Sequence, residues 1–123
     1  MPARIDSVDK RILILLDAID EPISRKELYR MIKELQEKGV KFGFKFIEKL
    51  PYSPQLEEKI NKLVERGYLL RLYLTGESFL ELYSDYLAIT DKGRKIAKKR
   101  DVDKRDVKRI LDYVAQLKSQ TSS

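Results

Sequence analysis

The 123-residue sequence has no cysteine, no histidine and no tryptophan, a single asparagine, five glycines and four prolines. Without thiol or imidazole there is no zinc finger, no Cys-His or Ser-His-Asp nucleophile and no haem ligand, and disulfides are excluded. No glycine-rich phosphate loop occurs. No carboxylate cluster sits on an apolar background that would raise a pKa for acid-base work. The sequence therefore reads as a non-enzyme with no cofactor and no metal. No apolar run reaches the ~18 residues of a bilayer span, and Met1-Pro2-Ala3-Arg4 leads into charges instead of a secretion signal. The expectation is a soluble cytoplasmic protein without a membrane partner.

Charge, by contrast, is plentiful. Charged residues make up 37% of the chain, and 26 Lys/Arg against 20 Asp/Glu give a net +6. The Lys/Glu-rich, asparagine-poor composition fits thermophile usage or an ordinary Lys/Glu-rich helical protein. Residues 1–90 hold 15 bases and 15 acids and are neutral, while residues 91–123 hold 11 bases against 5 acids. The excess is thus C-terminal, in Lys92, Arg94, Lys95, Lys98, Lys99, Arg100, Lys104, Arg105, Lys108, Arg109 and Lys118. Such a cluster suits phosphates, whose neutralisation releases counterions, or forms a solvated helix face with Asp-Lys pairs.

Helical periodicity and capping residues divide the chain. Ser7 is placed to cap a helix to about Asp20 that buries Val8, Ile12, Leu13, Leu15, Leu16 and Ile19. After Glu21-Pro22 and one extended step at Ile23, Ser24-Arg25-Lys26-Glu27 has capping-box spacing and opens a second helix that stops at Gly39. Val40, Phe42, Phe44 and Phe46 alternate with Lys41, Gly43 and Lys45, which predicts a strand. Ser53-Pro54 starts a third helix, carrying Leu56, Ile60, Leu63 and Val64 and ending at Gly67. Residues 68–75 and 79–89, rich in Leu and Tyr around Thr75-Gly76-Glu77-Ser78, predict a β-hairpin. Thr90 caps a fourth helix to about Arg100. An amphipathic helix over 103–118 follows, and residues 119–123 are expected to be disordered.

This order of elements resembles the winged helix-turn-helix family, and three passages carry the resemblance. Glu65-Arg66-Gly67-Tyr68-Leu69 looks like the passage from the third helix into the wing. Ile89-Thr90-Asp91-Lys92-Gly93-Arg94 resembles the segment leaving it, and Pro51-Tyr52-Ser53-Pro54 is similar to the third-helix entry of archaeal predicted transcriptional regulators. The fold implied is α+β: a three-helix core with a β-hairpin wing, an extra strand between helices two and three, and C-terminal helices. Residues 1–100 form the winged-helix domain and 101–118 an amphipathic helix suited to dimerisation. The implied function is a transcriptional regulator binding double-stranded DNA, with helix three in the major groove and the basic C-terminal region on phosphates.

DNA contacts are accordingly expected from Gln55, Lys59, Lys62 and Arg66 on helix three and from Arg25, Lys26 and Arg30 at the start of helix two. Lys92, Arg94, Lys95, Lys98 and Lys99 are expected to add C-terminal contacts. A homodimer interface is expected from Leu69, Tyr73, Tyr83, Ile110, Val114 and Leu117. Helix three is electrically neutral, however, and the hairpin sets Arg71 against Glu77, Glu81 and Asp85. These charges favour an alternative, a winged-helix protein-interaction module that docks through the hairpin onto a replication or transcription assembly.

Overall fold

A computed structural model describes residues 5–47, 52–73 and 85–121. At its centre is helix α1 (Ser7–Ile19), in which Ile12, Leu13, Ile14, Leu15 and Leu16 are all buried, a run that covers every side of the helix. Its N-cap is Asp6, not Ser7. The Asp6 carboxylate accepts the Asp9 N–H at 2.8 Å and the Asp9 carboxylate accepts the Asp6 N–H at 3.1 Å, so two acids make a reciprocal box.

Strand β1 (Ile23–Ser24) is only two residues long, and Ser24 caps helix α2 (Arg25–Glu37) by accepting the Glu27 N–H. The strand expected over residues 40–46 is absent. Val40, Phe42 and Phe44 do point inward while Lys41, Gly43 and Lys45 are exposed, as the period of two requires. Their backbone, however, bonds to side chains in place of a neighbouring strand. Gln36 brackets Phe44, accepting its N–H at 2.9 Å and donating to its carbonyl at 2.7 Å, and the Lys45 N–H goes to Gln55 at 2.9 Å.

Helix α3 (Pro54–Glu65) is capped by Ser53 with Pro54 in its first turn, as expected. Gly67, at φ +83°, turns the chain into strand β2 (Leu69–Tyr73), which pairs antiparallel with β3 (Asp85–Ile89). Strand β1 pairs with the other edge of β3, giving a three-stranded sheet in the order β1-β3-β2. The expected hairpin turn and Tyr83 lie outside the described residues.

Thr90 caps helix α4 (Asp91–Lys99) through its hydroxyl, which accepts the Gly93 N–H at 3.1 Å. Gly93 is required by proximity: a Cβ there would lie 2.3 Å from the Tyr68 carbonyl oxygen and 2.8 Å from Ile89. Helix α5 (Lys104–Thr121) runs beyond the expected end at 118, so residues 119–121 are helical instead of disordered. Val107, Ile110 and Val114 enter the same core as α1, α2, α3 and the sheet. Ile110 and Val114, expected at a dimer contact, are therefore spent within the chain, and so is Leu69 at 2% exposure. Leu117 is half-buried and Tyr73 is exposed.

One ion pair lies inside this core. Arg11 of α1 and Asp106 of α5 meet at 2.9 Å with both side chains nearly sealed from solvent. Asp106 also accepts the Lys41 N–H at 3.2 Å and faces the Arg109 guanidinium at 3.4 Å, so one carboxylate joins α1, α5 and the linker after α2. Among the described residues the architecture is thus α+β, five helices around a small antiparallel sheet, and no helix there is long and apolar enough to cross a membrane.

Candidate nucleic-acid interface

Helix α3 follows α2 only after residues 38–53, so no tight turn joins the two. Its basic residues are engaged with acids. Lys59 bridges to Asp6 and, at 3.4 Å, to Asp9, clamping α3 onto the start of α1. Burial pulls the Lys59 ammonium pKa down, but its bonds to Asp6 and the charge of Asp9 outweigh this and hold it above the usual lysine value. Asp9 is raised, first by burial, while Asp6 is held low because Lys59 and the Asp9 N–H together overcome burial. Lys62 pairs with Glu58 at 2.9 Å, one helical turn away. The Gln55 carbonyl accepts the Lys45 N–H, and Arg66 is half-buried at the C-cap. A groove of about 290 Å³ between α1 and α3 is lined by both signs of charge, Asp6, Asp9 and Glu58 against Lys59, Lys62 and Arg66. That mixture gives no net attraction for phosphate.

The expected contacts on α2 fare unevenly. Arg25 points to the sheet, donating to Asp85 at 2.9 Å, to the Tyr29 hydroxyl at 3.1 Å and to Asn61 at 3.4 Å. Burial disfavours its charge, yet the bonds to Tyr29 and Asp85 prevail and raise its pKa. Arg71 joins the same group, donating to Asn61 at 2.8 Å, so these contacts fasten β2 and β3 to α2 and α3. Arg30 pairs with Glu27 at 2.5 Å on the surface, and Lys26 is exposed with no ion pair among the described residues.

The C-terminal candidates divide more sharply. Arg94 holds Asp17 at 2.9 Å and Asp20 at 2.7 Å, fixing α4 to the end of α1; its pKa is raised chiefly by the Asp20 bond. Lys92 donates to the Arg66 carbonyl at 2.7 Å, with its ammonium 4.5 Å from the centre of the Tyr68 ring. Lys95, Lys98 and Lys99 are different. All three are exposed with no salt bridge among the described residues, as is Arg100, which ends α4 in the left-handed region at φ 46°.

At about 100° per residue the three lysines fall on the side of α4 opposite buried Gly93 and Ala97. Lys104 and Arg105, at the start of α5, are exposed as well. The nearby acids are already matched, Asp101 with Lys10 at 3.0 Å and Asp103 with Arg105 at 3.5 Å and Lys41 at 3.7 Å. Arg100, Lys104 and Arg105 belong to the C-terminal charge excess and, like Lys98 and Lys99, are exposed.

The chain matches no protein-family model, no curated protein and no solved structure.

Proposed function

We propose that the chain is a winged-helix protein that binds double-stranded DNA through the basic ridge formed by the end of α4 and the start of α5. The α+β layout supports the winged-helix reading: three helices precede the antiparallel pair β2 and β3, with β3 between β1 and β2, and a further helix follows β3 at Thr90. The observation that carries the binding reading is the exposed group Lys95, Lys98, Lys99 and Arg100, which no acid among the described residues neutralises in a salt bridge. Cations in the last turn of a helix also favour its dipole by a few tenths of a kcal/mol. That accounts for Lys98 and Lys99 but not for Lys95, Lys104 or Arg105. Binding to a random duplex, titrated with salt, tests the proposal; no binding at low salt would refute it.

A second reading rests on a separate observation. Leu70 and Tyr73 of the edge strand β2 are 52% and 68% exposed, which favours docking of a second copy or another protein on the hairpin. Light scattering on the free protein separates a dimer from a monomer awaiting a partner.

A further inference from the structure

Resting on the DNA-binding reading above, we infer that the ridge holds a duplex by its phosphates alone, without regard to sequence and without base contacts from α3. Reading a base edge requires an amide or guanidinium free to turn toward it. On α3 the Gln55 carbonyl is occupied, Lys62 is paired with Glu58, and Lys59 is locked to Asp6 and Asp9, which leaves only the half-buried Arg66 at the C-cap, about three helical turns from Gln55. Pulling Lys59 into a groove would leave Asp9, 3% exposed, as a buried carboxylate stripped of its cation. The exposed Glu58 and Glu65 would meet the phosphates instead.

The ridge has the opposite character. Residues 91–115 include no asparagine and no glutamine, so nothing there offers the bidentate amide that adenine takes; Arg94, Arg105 and Arg109 are held by Asp17, Asp103 and Asp106, which leaves the guanidinium of Arg100 alone, too few to specify a site. Residues 87–112 include no aromatic side chain, so no base can stack there. That favours a duplex, whose bases are already stacked, over a single strand. From Lys95 to Lys99 the helix advances about 6 Å, comparable with the separation of neighbouring phosphates along one strand of B-DNA. Lysine suits this role as a point charge on a flexible stem, which matches phosphate without fixing a hydrogen-bond pattern.

The test is fluorescence anisotropy on a duplex of about 20 base pairs with randomised sequence, across a range of salt concentrations. With Arg105 held by Asp103, the five cations Lys95, Lys98, Lys99, Arg100 and Lys104 give a log-log salt slope of about −4.5, at about −0.9 per neutralised phosphate. Lys98→Gln combined with Lys99→Gln is expected to flatten the slope by about 2 and to weaken binding at 0.1 M salt by up to about 60-fold. Both positions are exposed, and a melting curve shows that the double variant remains folded. The triple variant Gln55→Ala, Lys62→Ala, Arg66→Ala is expected to bind as the parent does, and repeated selection from the random pool is expected to yield no consensus.

A consensus sequence, or lost binding in the α3 variant, would overturn the inference while leaving DNA binding intact. Equal or tighter binding to a single strand of the same length would overturn its duplex preference. Failure to bind any DNA at low salt would overturn the underlying function as well.

Discussion

Replacing Asp106 by alanine removes one carboxylate that serves three partners: the Arg11 side chain at 2.9 Å, the Lys41 N–H at 3.2 Å and the Arg109 guanidinium at 3.4 Å. Arg109 is half exposed and can turn to water, and the Lys41 N–H lies near the surface. Arg11 cannot escape in the same way, because its side chain is only 7% exposed and α5 covers it. The variant thus leaves an unpaired guanidinium in the core, which costs about 3–5 kcal/mol. A domain of this size holds about 5–15 kcal/mol in total, so the midpoint of thermal unfolding should fall by at least about 10 °C.

Equilibrium urea denaturation of Asp106→Ala, Arg11→Met and the double variant completes the argument. The double variant leaves neither charge buried and should be more stable than the sum of the two single losses implies, with a coupling of about 1.5 kcal/mol or more. A loss below about 1 kcal/mol in Asp106→Ala, or additive losses in the cycle, would refute the reasoning by showing that Arg11 reaches water or finds another acceptor.

Gly93→Ala should destabilise the fold by about 2 kcal/mol despite the better helix propensity of alanine, since the new methyl meets backbone at 2.3 Å; a gain in melting temperature would contradict this. Gly43→Ala, with no heavy atom within 4 Å of its Cβ, should lose only the cost of its φ of +74°, about 1 kcal/mol, in the same melts. Lys59→Met tests the α1–α3 clamp through pH. The lowered Asp6 pKa contributes stability above the ordinary aspartate range and loses it as pH falls through the folded value, whereas the raised Asp9 pKa works in the opposite sense. Removing Lys59 raises both, so the variant should lose about 1–2 kcal/mol at pH 7, and the loss should shrink as pH falls through the folded Asp6 value. A loss independent of pH in denaturant titrations would count against the clamp. Leu70→Ser with Tyr73→Ser should leave a monomer by light scattering if the hairpin joins two copies, and should leave the DNA salt slope unchanged in either case.

Local chemistry made much of the fold legible in the sequence. Ser53-Pro54, Thr90 and the spacing of Ile110 and Val114 each act within one or two helical turns, and each marks an element that the structure contains. Residues 40–46 misled because inward alternation looks the same whether the backbone bonds to a strand or to Gln36, Gln55 and Asp106. Asp6 was hidden for a related reason: a box closed by two aspartates keeps the three-residue spacing but lacks the usual Ser and Glu. The candidate site was less legible than the fold. Lys59 finds its acids 53 and 50 positions earlier in the chain, and Arg94 pairs with acids 77 and 74 positions earlier. Charge runs in a sequence show how many cations exist but not which are left over after folding.

The Arg11–Asp106 pair sets a timetable for biosynthesis. These partners are 95 residues apart, so at about 5–20 residues per second α1 waits roughly 5–20 s on the ribosome before its counter-ion is made. Over that interval a helix apolar on every side carries an arginine with no mate, which makes the nascent chain a natural client for factors that shield hydrophobic segments. Once α5 arrives, a single carboxylate closes the core around charge and apolar surface together.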